Sequence, residues 1–294
     1  MPDPEETAEV EIEIEATGPL LLIQDLGRSG FARQGVGRSG AFDRTSHRLA
    51  QRLVGNDESA AGFEVTLGGM AFRCGTDLTI AVTGAQVELT VAGRSSPTDT
   101  SVDVPAGELV RLGRCLRGVR SYVAVAGGIT VEPTLGSRAT DVMSGLGPPA
   151  VQRGDRMPVG SQPAGRAHGS PSIALPDQHE RRVLRVVPGP REDWFVAAAL
   201  DTLCSATYVV DPASNRVGVR LNGPTLDRIN DSELPSEPTL PGAIQVPPNG
   251  LPVVFGPDGP VTGGYPVIAV VVEDDVDMLA QARPGDPLRY KRFR

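Results

Sequence analysis

The chain of 294 residues carries 35 glycines and 27 prolines, about a fifth of the sequence against roughly 12% in average usage. That excludes a long helical bundle or coiled coil, while 39% hydrophobic against 22% charged residues excludes disorder throughout. A net charge of −8 argues against a dedicated nucleic-acid protein. The basic residues are almost all arginine, with Lys291 the single lysine, so any phosphate or carboxylate bound here is met by guanidinium groups or backbone amides.

Taken in chain order, Val10–Ile14 alternates apolar residues with glutamates and reads as a half-exposed strand. The preceding residues are acidic, the opposite of a secretory leader, and no apolar run approaches membrane-spanning length. The expectation is a cytoplasmic protein. Short strands follow at Leu20–Ile23, Phe63–Thr66, Leu78–Val82, Val87–Val91, Leu109–Leu112 and Ser121–Ala126. One helix interrupts them, capped by Asp43, with Leu49, Ala50, Leu53 and Val54 as its buried stripe and Gly55 as its stop. A Pro/Gly/Ser/Ala-rich stretch between Pro158 and Pro176 reads as a linker.

The second half repeats the pattern. Strands are expected at Val183–Val187, Thr207–Val210, Val217–Leu221, Pro252–Phe255, Pro266–Val272 and Leu288–Phe293. Helices are expected near Glu192–Leu203 and Asp274–Ala282. Each half ends on a Gly-Asp pair, Gly154-Asp155 and Gly285-Asp286, a faint echo of two related β-barrels. The fold class is therefore mainly β, with domains at 1–160 and 178–294 joined by residues 161–177.

The segment Gly35-Val-Gly-Arg-Ser-Gly40 matches G-x-G-x-x-G before a helix, but no buried strand precedes it and no βαβ pattern follows. What survives is a glycine loop that could offer amides to an anion. His47, His168 and His179 form no metal-ligand pair, and Cys74, Cys115 and Cys204 read as scattered free thiols. More informative are Gln24-Asp-Leu-Gly-Arg28, Gly136-Ser-Arg138, Ser214-Asn-Arg216 with Arg220, and Thr262-Gly-Gly-Tyr265. Each joins a flexible backbone to an arginine, carboxylate or phenol, although a β-turn with a surface charge reads the same way.

The run GPLLLIQDLGRSGFARQGVGRSGAFDRTSHRLAQRLVGN (Gly18–Asn56) closely resembles the opening of the carboxyltransferase-domain family. That family includes allophanate hydrolase subunit 2, the C subunit of bacterial 5-oxoprolinase and the antagonist of a sporulation-kinase inhibitor. The likeness continues through GVRSYVAVAGGI (Gly118–Ile129), TLGSRAT (Thr134–Thr140), SNRVGVRLNG (Ser214–Gly223), PGAIQVPPNGLP (Pro241–Pro252) and TGGYPVIAVV (Thr262–Val271). Two departures fall in these loops. Relatives usually read Ser-Glu-Gly where this chain has Ser236-Glu237-Pro238, and a Gln-Thr-Thr sequence where it has Pro260-Val-Thr262.

The resemblance implies a pair of cyclophilin-like β-barrels. It also implies a companion chain, of the kind found as allophanate hydrolase subunit 1 or as the B subunit of 5-oxoprolinase. Its first expectation is a subunit of an ATP-dependent amidohydrolase that opens 5-oxoproline to glutamate, with ATP, and Mg where required, used by the complex. A second is a carboxyltransferase acting on urea-like amides, with biotin carried on another chain. A third is a regulatory partner without chemistry. Chemistry and resemblance together assign Asp25, Asp43 and Glu237 to proton transfer or metal–nucleotide contact. They assign Arg28, Arg138, Arg216 and Arg220 to anion binding, Gln245 and Tyr265 to substrate polar groups, and Gly27, Gly40, Gly136, Gly263 and Gly264 to loop backbone. No protein metal ligand is assigned.

Overall fold

The computed structural model describes residues 10–161, 183–230, 232 and 234–293. The N-terminal half builds a nine-stranded sheet. Its strands are β1 (Glu11–Thr17), β2 (Leu20–Gln24), β3 (Gly62–Thr66), β4 (Met70–Cys74), β5 (Leu78–Val91), β6 (Arg94–Ser96), β7 (Ser101–Val104), β8 (Val110–Val125) and β9 (Arg156–Pro158). The C-terminal half supplies β10 (Val183–Pro188), β11 (Thr207–Val210), β12 (Gly218–Asn222), β13 (Glu237–Pro238), β14 (Ala243–Gln245), β15 (Val253–Phe255), β16 (Thr262–Gly263), β17 (Val267–Val271) and β18 (Pro287–Arg292). Among the described residues the α-helices are α1 (Arg44–Leu53), α2 (Ala199–Ser205) and α3 (Glu273–Ala280).

In β1 the expected alternation holds, with Ile12 and Ile14 buried. The long strand β8 is the spine of the first sheet, pairing with β3, β4 and β5. Its first half alternates buried and exposed residues, and from Gly118 onward every residue is buried. That change follows from what covers it: α1 lays Leu49, Ala50, Leu53 and Val54 against Ala81, Tyr122 and Ala124. Two strand pairs expected separately are continuous here. Leu78–Val82 and Val87–Val91 are one strand, because Gly84 at φ +91° and the register shifts beyond it absorb the break. Leu109–Leu112 and Ser121–Ala126 likewise merge into β8. The helix expected over Glu192–Leu203 divides into a 3-10 turn at Glu192–Trp194 and α2.

The second half closes as a seven-stranded barrel in the order β10-β17-β14-β15-β12-β11-β18. Closure is made by the parallel pairing of β18 with β10, from Val183 opposite Arg289 to Val186 opposite Arg292. The first half is an open sheet that branches at β8, so only one of its two β units is a hydrogen-bonded closed barrel. β13 and β16 form a separate ribbon. The Gly-Asp echo is structural: Gly154 and Gly285 both have positive φ. Asp155 and Asp286 each accept from the amide three residues earlier, at 2.8 and 3.0 Å. The same turn thus launches the last strand of each half. Apart from Ser161, the expected linker 161–177 lies outside the described residues, as do His168 and His179.

Candidate functional site

The two halves are joined by side chains that cross between them. Phe42, in the loop before α1, joins the apolar core of the barrel, and its amide donates to Glu64 Oε2 at 3.0 Å. The Arg120 guanidinium stacks on the Phe42 ring at 4.6 Å. Beneath it, Arg216 donates to Glu64 at 2.6 Å, to both oxygens of Asp258 at 2.7 and 2.9 Å, and to the Gly40 carbonyl at 2.7 Å. Arg120 stands 3.4 Å from Glu64. Two guanidinium groups and two carboxylates thus make a buried network that is neutral overall. Burial works against both ions. Even so, Arg216 and Arg120 hold the Glu64 carboxyl below its usual range, and Glu64 and Asp258 hold the Arg216 guanidinium above its own.

The N-terminus of α1 is closed by carboxylates from both halves. Asp43 caps it, accepting from the Ser46 amide at 2.9 Å and the Ser46 hydroxyl at 2.7 Å. Asp277, on α3, accepts from the Arg44 and Thr45 amides at 3.1 and 3.0 Å. Gln281 ties α3 to Asp43 and to the Val119 and Arg120 backbone. Burial, then repulsion from Asp277, pushes the Asp43 carboxyl up to about 7. Burial also pushes His47, packed edge-on to Tyr122, down to about 4.

Above this floor a cleft of about 330 Å³ opens between the halves, at the small end of ligand clefts. Phe42, Leu240, Pro241 and Val271 give it apolar walls, and Arg38, Arg44, Glu273 and Asp277 give it charge. Ser39, also on the wall, adopts φ +52° and donates to Asp258 at 2.6 Å. A non-glycine residue in that region is strained and is held by its surroundings.

The predicted residues fall into groups around this cleft, and none of them lines it. Asp25, Gly27, Arg28, Gly40, Gly136 and Arg138 do come together. Asp25 accepts from the Gly27 and Arg138 amides and the Ser137 hydroxyl, at 2.6–2.7 Å. Gly27 and Gly40 pack backbone to backbone, where a Cβ on either would fall under 3 Å from the other loop. Asp25 thus ties the Gly27 loop to the Ser137-Arg138 loop. Arg28 is buried against the Thr134 and Ala139 carbonyls, with Nη1 unpartnered, and Arg138 donates to the Val131 carbonyl at 2.6 Å. Gly136, at φ +78°, sits in the turn from Thr134 to Ser137.

A second group gathers beside the barrel. Glu237 is clamped by Arg191, which keeps its carboxyl below the usual range. Glu237 also pairs across the ribbon with Gly263, and Gln245 donates to the Tyr265 carbonyl at 2.9 Å. A Cβ on Gly263 would meet Gln245 at 2.5 Å, and Gly264 borders the Leu234 carbonyl. One departure, Pro238, lies on this ribbon opposite Thr262, and the other, Pro260-Val261, leads into it, its carbonyls accepting from Thr239.

Two further residues are internal to the fold. Every guanidinium nitrogen of Arg216 is already taken by the protein, so it is an internal tie and no receptor for an external anion. Asp43 is buried as a helix cap, with Ser46 and Gln281 on its oxygens, and has no face toward a ligand. Arg220 stands exposed on β12, apart from both groups. Glu64, Asp258, Asp277, Arg38, Arg44 and Glu273 were missed. Only the G-R-S-G and F-D-R segments flanking Arg38 and Arg44 signalled them.

The Arg44, Thr45 and Ser46 amides at the start of α1, which a glycine loop would present to an anion, are filled by Asp277 and Asp43. Among the described residues no group of three or more His, Cys, Asp or Glu is placed to hold a metal ion. No helix among them is long and apolar enough to cross a membrane.

The family described as carboxyltransferase domain, subdomain A and B, matches residues 34–292. The chain is 37% identical to the C subunit of 5-oxoprolinase from Escherichia coli, over 95% of this chain and 90% of that protein. It is 33% identical to the urea amidolyase of Saccharomyces cerevisiae, over 95% of this chain but 16% of that much longer one. The crystal structure of the Kluyveromyces lactis urea amidolyase superposes with a TM-score of 0.88 at 29% identity, covering 97% of this chain and 19% of that chain. Sequence and fold agree across both halves: the chain belongs to the carboxyltransferase domain family, subdomains A and B.

Proposed function

We propose that this chain is the C-type subunit of a 5-oxoprolinase, part of a cytoplasmic hydrolase complex that opens 5-oxoproline to glutamate with hydrolysis of ATP. The observation that carries the reading is 37% identity to the Escherichia coli C subunit along nearly the full length of both chains. The chemistry required is attack on an unreactive lactam, which needs a positioned substrate and donors for the developing oxyanion. The cleft between the halves supports this with a small apolar-walled volume and two guanidinium groups at its wall. ATP, with Mg where required, is used by the complex, and the occupied α1 amides favour a nucleotide site away from that helix N-terminus.

The test is co-expression with the companion subunits and assay of glutamate release from 5-oxoproline. Turnover that depends on ATP is expected, and a complete, assembled complex without turnover would sink the reading. A second reading, carboxyl transfer from carboxybiotin, draws on the 33% identity to urea amidolyase. It requires a biotin carrier on another chain, and biotin-dependent carboxylation of urea by the same complex would favour it.

A further inference from the structure

The charge at the cleft wall is unevenly committed. Asp277 spends both carboxylate oxygens on the amides of Arg44 and Thr45 and on the Thr45 hydroxyl at 2.6 Å. It is fixed in place as part of the helix. Glu273 differs. Its side chain is 80% exposed, and a single oxygen, Oε1, stands 3.5 Å from Arg38 Nη1 and 3.8 Å from Arg44 Nη1. An exposed pair at those distances contributes roughly 0–1 kcal/mol. The Arg44 Nε is buried and has no partner at all. Two guanidinium groups therefore converge on one loosely held carboxylate, directly beside apolar walls formed by Phe42, Leu240, Pro241 and Val271.

We infer that Arg38 and Arg44 form the receptor for the carboxylate of a small ligand with an apolar body, and that Glu273 occupies this receptor until the ligand displaces it. The inference rests on the proposed function for the identity of that ligand, 5-oxoproline, whose ring would lie against the apolar walls. A ligand carboxylate can accept from both arginines through two oxygens, which the single Glu273 oxygen does not do, and paired guanidinium–carboxylate contacts are the stronger kind. Glu273 then acts as an internal competitor. It keeps two like charges from facing each other across an empty cleft, and it sets the affinity a ligand must exceed.

The assembled complex provides the test, with 5-oxoproline and 2-pyrrolidinone, the same ring without a carboxylate, as calorimetric probes. Glu273→Gln removes the competitor from an exposed position and leaves the fold intact. It should tighten 5-oxoproline binding about threefold or more and lower KM with kcat little changed. Arg38→Ala and Arg44→Ala should each weaken 5-oxoproline binding at least about tenfold, and Arg38→Lys should recover part of the loss. Binding of 2-pyrrolidinone should ignore all four substitutions. Unchanged 5-oxoproline affinity in Glu273→Gln and Arg38→Ala, with normal turnover, overturns the receptor while leaving the proposed activity standing. A complex without turnover whose Arg38- and Arg44-dependent binding of small carboxylates persists overturns the activity and upholds the receptor.

Discussion

At the scale of single residues, the buried ions carry the most consequence. Removing one member of a buried pair leaves the other charged and unsolvated, at a cost of about 3–5 kcal/mol. Arg216→Ala would strand Asp258 and leave Glu64 with Arg120 as its one guanidinium partner. Its urea midpoint should fall by an amount in that range, and a midpoint equal to wild type would contradict the network's role. Asp43 and His47 make opposing contributions to pH dependence. Asp43 ionises near 3.8 when unfolded and near 7 when folded, so the folded state holds the extra proton between those values. Its contribution to stability is lost as pH rises through that window. His47 falls from 6.5 to about 4 on folding, so the unfolded state holds the extra proton and stability is lost as pH falls. Asp43→Asn should therefore leave stability climbing more steeply with pH than in wild type, between about 4 and 6.5. His47→Gln should do the reverse. Urea melts across the window check both slopes, and parallel profiles for all three proteins would refute the assignment.

At the scale of elements, α1 and α3 act as a clasp. The sequence showed α1 plainly, through Asp43, the Leu49–Ala50–Leu53–Val54 stripe and Gly55. The clasp itself was not legible, because Asp277 meets Thr45 across a sequence separation of 232 and no local periodicity reports such a pairing. The same holds for Arg216. Its Asn-Arg turn looked like an exposed anion site, but Glu64 lies 152 residues away and fills it. Some of the loops do come together: the Arg138 amide meets Asp25 across 113 positions, and Gly27 packs on Gly40. Their roles differ, since amide donors saturate Asp25 where a free carboxylate was expected. Phe42 is the element's hydrophobic anchor. Phe42→Ala should cost about 3–5 kcal/mol and shift the urea midpoint accordingly. A loss under about 1 kcal/mol would show that the halves are held together by the polar ties alone.

At the scale of the whole molecule, the abundance of glycine and proline correctly announced many short strands and turns. It did not reveal that one half closes and the other stays open, since closure depends on the parallel pairing of β18 with β10. Nor did it reveal the cleft, which belongs to neither half alone: Arg38 and Arg44 come from the first, and Glu273 and Asp277 from the second. A function that needs both halves in one geometry explains why so much of the polar interior is spent on joining them. Subunit exchange tests whether this geometry serves as the C subunit of a 5-oxoprolinase. The Escherichia coli complex would be purified with its own C subunit replaced by this chain, and ATP-dependent glutamate release from 5-oxoproline measured. Restored turnover is expected, with KM raised by Arg44→Ala. An exchanged complex that assembles fully but releases no glutamate would contradict it.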